Sequence, residues 1–189
     1  MADGAGVTIP LDAGSPESTT RLPVSLIFQQ PYRNLCWAAC CAMVTSALRH
    51  SYPNQASNLP TTMVSVATEV IRGGQCAIPG QTGLDQPLWP DCALFELIGL
   101  APTRMPGCLD EASLVQEIQV NRRPVLLYLE WAGIPLAHMV LLAGYDPGTG
   151  SFLVLDPAVG PGTKGYNDLS TIDGGSWSMT FYNVGWSLT

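Results

Sequence analysis

Apolar residues recur at helical spacing in the first half of the chain and gather into short unbroken runs in its last third, a pattern of helices first and a sheet second. From Cys36 to Ser51 the sequence CWAACCAMVTSALRHS lacks Gly and Pro and sets Trp37, Cys40, Cys41, Val44 and Leu48 on one stripe. It predicts a buried helix that Pro53 ends, followed by a loop of Asn, Ser and Pro residues to Pro60. A second helix is expected over Thr62 to Arg72, stopped by Gly73 and Gly74. Gly and Pro punctuate Gly73 to Pro90 so heavily that this stretch reads as irregular, ahead of a short helix from Asp91 to Ile98. Asp110 to Asn121 carries Leu114, Val115, Ile118 and Val120 among acids and glutamines, which predicts a surface amphipathic helix with Asp110 as its N-cap.

After Arg123 the texture changes. PVLLYLEW, AHMVLLAGYD, SFLVLDPA and WSMTFYNVGW are apolar runs bounded by turn residues, and they predict four strands. Asp146-Pro-Gly-Thr-Gly150 is hairpin-turn chemistry, so the second and third strands are expected to be antiparallel neighbours. The fold class is therefore α+β rather than a βαβ repeat, with no internal repeat. We expect a flexible lead over residues 1–24, rich in Gly, Ser, Thr, Asp and Ala, and one domain over 25–189. Its helical part runs to about residue 123 and its sheet part from about residue 124.

Composition narrows the function classes. With 189 residues, of which 47% are hydrophobic, the chain can bury an ordinary core. Only 12% of residues are charged and the net charge is -7, so no basic field exists to hold nucleic acid or anionic lipid. No apolar run approaches the roughly 20 residues that span a bilayer. The N-terminus has neither the basic nor the apolar region of a secretory signal, which predicts a protein that is cytoplasmic or delivered into a target cell by another route. Of the six cysteines, Cys36, Cys40 and Cys41 are too close for a mutual bridge, and a pair among Cys76, Cys92 and Cys108 would bridge only in an oxidising compartment. There is no CxxC, and His50 and His138 have no partner at zinc-ligand spacing, so neither metal nor cofactor is expected.

What chemistry the chain offers starts at Cys36. A thiol becomes a useful nucleophile when its pKa is lowered, and a helix N-terminus does this through unpaired N–H groups and the positive end of its dipole. Cys36 falls where loop-like Gln29 to Leu35 meets the helix. A thiolate needs an imidazole that holds the ion pair and later protonates a leaving amine, and His138 heads an otherwise apolar strand. The imidazole in turn needs an acceptor on its other nitrogen, and a hairpin folded near Gly148 brings Asp156 to the same sheet edge, leaving Asp146 at the opposite end. An oxyanion needs a donor besides the nucleophile's own N–H, and Gln30, six residues before Cys36, is the candidate; Gln29 is one position out of register and the weaker option. Each residue taken alone has an ordinary role: a cysteine packs, a strand-end histidine or a loop glutamine is structural, an Asp before Pro turns the chain. Their combination is the signal.

Gln30, Cys36-Trp37-Ala38-Ala39, Ala137-His138 and Asp156-Pro157 together resemble the papain-like cysteine peptidase superfamily, closest to its bacterial papain-like and peptidase C39-like group. That resemblance implies a helix carrying the nucleophile packed on an antiparallel sheet, and catalysis by Cys36, His138 and Asp156 with Gln30 in the oxyanion hole. Arg33-Asn34-Leu35 replaces the Cys-Gly-Ser of plant papains, and Asp156 stands where they have Asn, which favours the bacterial branch. It implies a protein or peptide substrate, with cleavage after Gly-Gly and a role as an effector toxin among the activities of related domains. An effector would carry an immunity partner. The same residues also suit an amidase of peptidoglycan peptides, a transglutaminase-like acyltransferase, or a degenerate peptide-binding module. Trp89, Trp131 and Trp177, and the Gly160 to Gly165 and Gly174-Gly175 loops, are candidate cleft walls, with core packing and turn formation as their ordinary roles.

Overall fold

The structure is a computed structural model that describes residues 18–54, 56–72, 82–87 and 94–185. Helix α1 spans Cys36–Ser51, over the whole predicted segment. Its first nine residues are all buried, so it is a central helix rather than a surface one, as apolar residues on every side of it require. Helix α2 (Met63–Arg72) packs beside it through Met63, Val66, Ala67 and Val70. Helix α3 is shorter than expected, Leu94–Leu97, and residues 91–93 lie outside the described ones. Helix α4 (Glu111–Val115) has the predicted cap, Asp110 accepting from the Ser113 N–H, and continues as a π-helical turn over Gln116–Val120.

The predicted strands all appear, joined by four short ones. β1 is Thr20–Arg21, β2 Thr103–Pro106, β3 Val125–Trp131 and β4 Ile134–Asp146. β5 is Ser151–Asp156, β6 Gly160–Gly165, β7 Thr171–Ile172 and β8 Gly175–Tyr182, with helix α5 (Tyr166–Leu169) between β6 and β7. The antiparallel sheet runs β2-β8-β3-β4-β5-β6, with β1 on β4 and β7 on β8. Gly160–Gly165, read as a loop, is thus a strand: at the sheet edge a Pro and three glycines cost little, because one side of the backbone needs no partner. Thr20–Arg21, assigned to the lead, pairs with Tyr145 and Gly144. The contact requires glycine, since a Cβ on Gly144 would stand 2.6 Å from the Thr20 carbonyl oxygen.

Both sheet faces are covered. Leu126, Tyr128, Met139, Leu141 and Phe181 meet α1, α2 and α3 on one face. Val125, Leu127, Leu129, Val140, Leu142 and Trp177 meet Leu114 and Ile118 of the α4 segment on the other. Burial on two faces explains why β3 and β4 read as continuous apolar runs, a texture commoner in parallel sheets.

Candidate active site

Cys36 is the first residue of α1, one turn above Cys40 and against the start of β4, its sulfur 4.0 Å from the Ala137 carbonyl oxygen. The helix is fixed there from within the core: the Cys40 thiol donates to the Met139 carbonyl at 3.2 Å, and the Trp37 indole to Gln86 at 3.0 Å. His138 lies beside this join, and its own hairpin supplies its partner. In the β4–β5 register Leu141 faces Leu155, which sets Asp156 one diagonal from His138, a spacing that long side chains bridge. The His138 Nε2 to Asp156 Oδ1 distance is 2.8 Å, with the two side chains 15% and 8% exposed. Asp156 Oδ1 also accepts the backbone N–H groups of Ala158 (2.7 Å) and Val159 (3.3 Å), which lock the carboxylate in place.

The Cys36 side chain is close enough to act on the same imidazole and favours its charged form. With Nε2 taken by Asp156, Nδ1 is the nitrogen left to it. Burial alone would lower the His138 pKa, but the hydrogen bonds and charges of Asp156 and Cys36 outweigh it and raise the value to about 10. Burial pushes Asp156 up, and the imidazolium and the two backbone N–H groups pull it below the usual carboxylate range. Cys40 and Cys41 are fully buried, and desolvation, reinforced by the Cys36 charge, drives both thiols far up. Of the three cysteines on this helix, Cys36 is the one at its start and beside His138.

This constellation spans most of the region that a family model matches, residues 18–169, the family being described as papain-like cysteine protease AvrRpt2. The chain belongs to this family. It is therefore a papain-like cysteine peptidase acting on peptide bonds. Among solved structures it is similar to a double glycine motif protease from an AMS/PCAT transporter in complex with the leader peptide, at 17% identity and TM-score 0.49, over 86% of this chain and 94% of that one. It is also similar to a chain from a structural study of the mite allergens Blo t 1 and Der p 1, at 16% identity and TM-score 0.44, over 94% and 74%. No curated protein matches the chain.

The sequence-predicted residues fall unevenly around this constellation. Cys36, His138 and Asp156 come together, whereas Gln30 is exposed and Gln29 is half-buried. Gln29 donates its amide to the Arg33 carbonyl (3.3 Å), its backbone N–H to the Pro157 carbonyl (3.0 Å), and its buried Oε1 has no partner among the described residues. Of the tryptophans, Trp131 stands tilted over His138 with ring centroids 6.4 Å apart, Trp177 is buried in the core cluster against which Trp131 also packs, and Trp89 lies outside the described residues. Gly174-Gly175 lies against the Trp131 ring. Cys108 is an exposed free thiol, and Cys76 and Cys92 lie outside the described residues. Asp85, which sequence reading passed over, binds the loop before Cys36.

Proposed function

We propose that this peptidase hydrolyses its substrate through a triad of Cys36, His138 and Asp156, acting from a single catalytic domain. The observation that carries the reading is the 2.8 Å contact of His138 Nε2 with Asp156, which leaves the other ring nitrogen to a thiol at the start of a helix. The Cys36 thiolate attacks the scissile carbonyl carbon, forming a C–S bond and an oxyanion. As the intermediate collapses, the C–N bond breaks and His138 gives its proton to the departing amine. Water then attacks the thioester with His138 taking its proton, the C–S bond breaks, and the carboxylate product leaves a thiolate–imidazolium pair. Asp156 holds the ring in place and stabilises its charge throughout.

For the oxyanion the side-chain donor is Gln30, six residues before Cys36, with the Cys36 backbone N–H. Gln30 is exposed, as a group that meets substrate must be, whereas Gln29 gives its amide to the Arg33 carbonyl and its backbone N–H to the Pro157 carbonyl within the loop. Removing one oxyanion donor costs about 10²–10³ in kcat, so Gln30→Ala should fall in that range.

Cleavage after Gly-Gly, delivery into another cell and an immunity partner that covers the cleft are the narrower readings that the sequence resemblance supports. The deciding experiment is mass-spectrometric mapping of cleavage sites in a bacterial lysate, wild type against Cys36→Ala, with Gly-Gly peptides among the added substrates. Cleavage that persists in Cys36→Ala sinks the triad. Cleavage of cell-wall peptides without protein cleavage moves the substrate class to amidase.

A further inference from the structure

The turn that holds Asp156 is walled by apolar side chains that the core leaves outside. Val24, Leu26, Ile27 and Tyr32 of the segment before Cys36 pack against the core, whereas Phe28 among them is 53% exposed. Its ring lies on Gly160, 3.9 Å from where a Cβ there would stand. Gln29 ties the two segments together, its backbone N–H donating to the Pro157 carbonyl at 3.0 Å. Just beyond that contact Ala158 and Val159 are exposed, Val159 by 74%, although both backbone N–H groups donate to Asp156 Oδ1. Four large apolar side chains are exposed among the described residues; Val64 lies on α2 and Val120 on the π-helical turn, and the other two share this one place. A single exposed apolar residue needs no account, but two side by side at the edge of reacting groups make a surface that a ligand can cover.

The chemistry of the triad says what passes this wall. His138 gives its proton to the departing amine, so the part of the substrate after the scissile bond leaves across the imidazole. Asp156 meets the far nitrogen of that ring at 2.8 Å, and the Val159 N–H stands 3.3 Å from the same carboxylate oxygen. At about 3.3 Å per residue of extended chain, the ring and these two contacts span about two to three residues. We propose that Phe28 and Val159 form a specificity subsite that takes an apolar side chain of the substrate, two or three residues after the scissile bond. The substrate is the occupant because the patch continues directly from the Asp156 turn. Phe28, Ala158 and Val159 offer no charge to a basic or acidic side chain, and the Ala158 and Val159 N–H groups are already taken by Asp156, so contact is made through apolar side chains. The proposal rests on the reading of Cys36, His138 and Asp156 as the triad.

The test is cleavage-site profiling on a library of random-sequence peptides with wild type, Phe28→Ser, Val159→Asp and Cys36→Ala, the cut sites being read by mass spectrometry. Wild type should enrich apolar residues at the second or third position after the cut. Peptides matched except for Leu or Gly at that position should differ about tenfold in kcat/KM, the discrimination that an apolar contact supplies. Phe28→Ser should bring that ratio to within about twofold. Val159→Asp should replace Leu by Lys or Arg as the favoured residue, a switch that loss of folding cannot produce. A wild-type profile flat at both positions, or one that both substitutions leave as it was, overturns the subsite and leaves the triad standing. A flat profile together with a dimer that Phe28→Ser disperses would give the patch to a second copy and overturn it equally. Cleavage that persists in Cys36→Ala sinks the triad instead. Two tetrapeptides with free amino termini, carrying Leu-Leu or Gly-Gly after a first alanine, then decide the wall without turnover. Val159 methyl resonances that move with the first and not the second uphold the subsite; resonances moved by neither, or equally by both, overturn it.

Discussion

The β4–β5 hairpin carries the same dipeptide at each end, Asp146-Pro147 in its turn and Asp156-Pro157 where β5 leaves the sheet. Each aspartate accepts the backbone N–H two residues on, Gly148 at 3.0 Å and Ala158 at 2.7 Å, and each is held below the usual carboxylate range. There the likeness ends. Asp146 is more open to solvent and finds its further partners in the hydroxyls of Thr19 and Thr149. Asp156 is buried, and its further partner is an imidazole that also meets the Cys36 thiol. Local turn chemistry is common to both; what separates a turn former from a catalytic candidate is burial and the charge it is brought against.

The largest break in this comparison comes from Asp156→Ala. The imidazole loses its acceptor, its tautomer and its orientation together, and we expect kcat to fall by about 10²–10⁴ with the Cys36 alkylation rate reduced as well. Single-turnover peptide hydrolysis measures it. A loss of less than about fivefold would remove Asp156 from the triad.

The second effect is on pH. Folding raises His138 to about 10, so the pair's stabilisation is complete below the unfolded histidine value of about 6.5 and is lost as pH rises through 10. Asp156 is lowered, so the same pair is also lost in acid, as pH falls through the carboxylate's depressed value. Wild type should therefore hold its kcat/KM and melting temperature into mild alkali and lose both toward pH 10. In Asp156→Ala the alkaline limb should move to lower pH, because the strongest raising influence on His138 is gone. An unmoved limb would mean that another group titrates there.

How much of this was legible in the sequence follows the same division. α1, the strands β3, β4, β5 and β8 and the Asp110 cap announce themselves through periodicity and turn residues, and the hairpin register alone brings His138 to Asp156. Contacts made across the chain left no local mark. The Gln29 backbone N–H meets the Pro157 carbonyl from the far end of the chain, which no local pattern announces. Asp85 sits in the Gly- and Pro-rich middle, 51 residues from the Asn34 it holds. β6 is hidden by its glycines, since an edge strand supported on one side needs little β propensity.

A smaller effect is expected from Gly175→Ala. A Cβ at this position would stand 2.8 Å from the Trp131 ring, so the indole must move from its place over His138 or the strand must shift. Overpacking of this kind costs about 1–3 kcal/mol in stability. If Trp131 shelters the His138–Asp156 pair, kcat should drop several-fold while the melting temperature falls, and a Trp131→Phe change should relieve part of the clash. Lost stability with undiminished kcat would make Trp131 a packing residue only.

The smallest effect sharpens the comparison from its other end. Asp146→Ala removes the turn's acceptor for Gly148, Thr19 and Thr149 but touches nothing near Cys36. Its kcat and KM should stay within about twofold of wild type, the range of a substitution remote from the reacting groups. Stability should fall slightly, and only where the carboxylate is ionised: a lowered pKa gives stability above the unfolded value of about 3.9 and loses it as pH falls through the folded one. Melting curves at pH 7 and in acid should thus differ between variant and wild type at the first pH and converge at the second. An Asp146→Ala enzyme that lost activity as Asp156→Ala does would show that hairpin integrity, and not the imidazole, is what Asp156 serves.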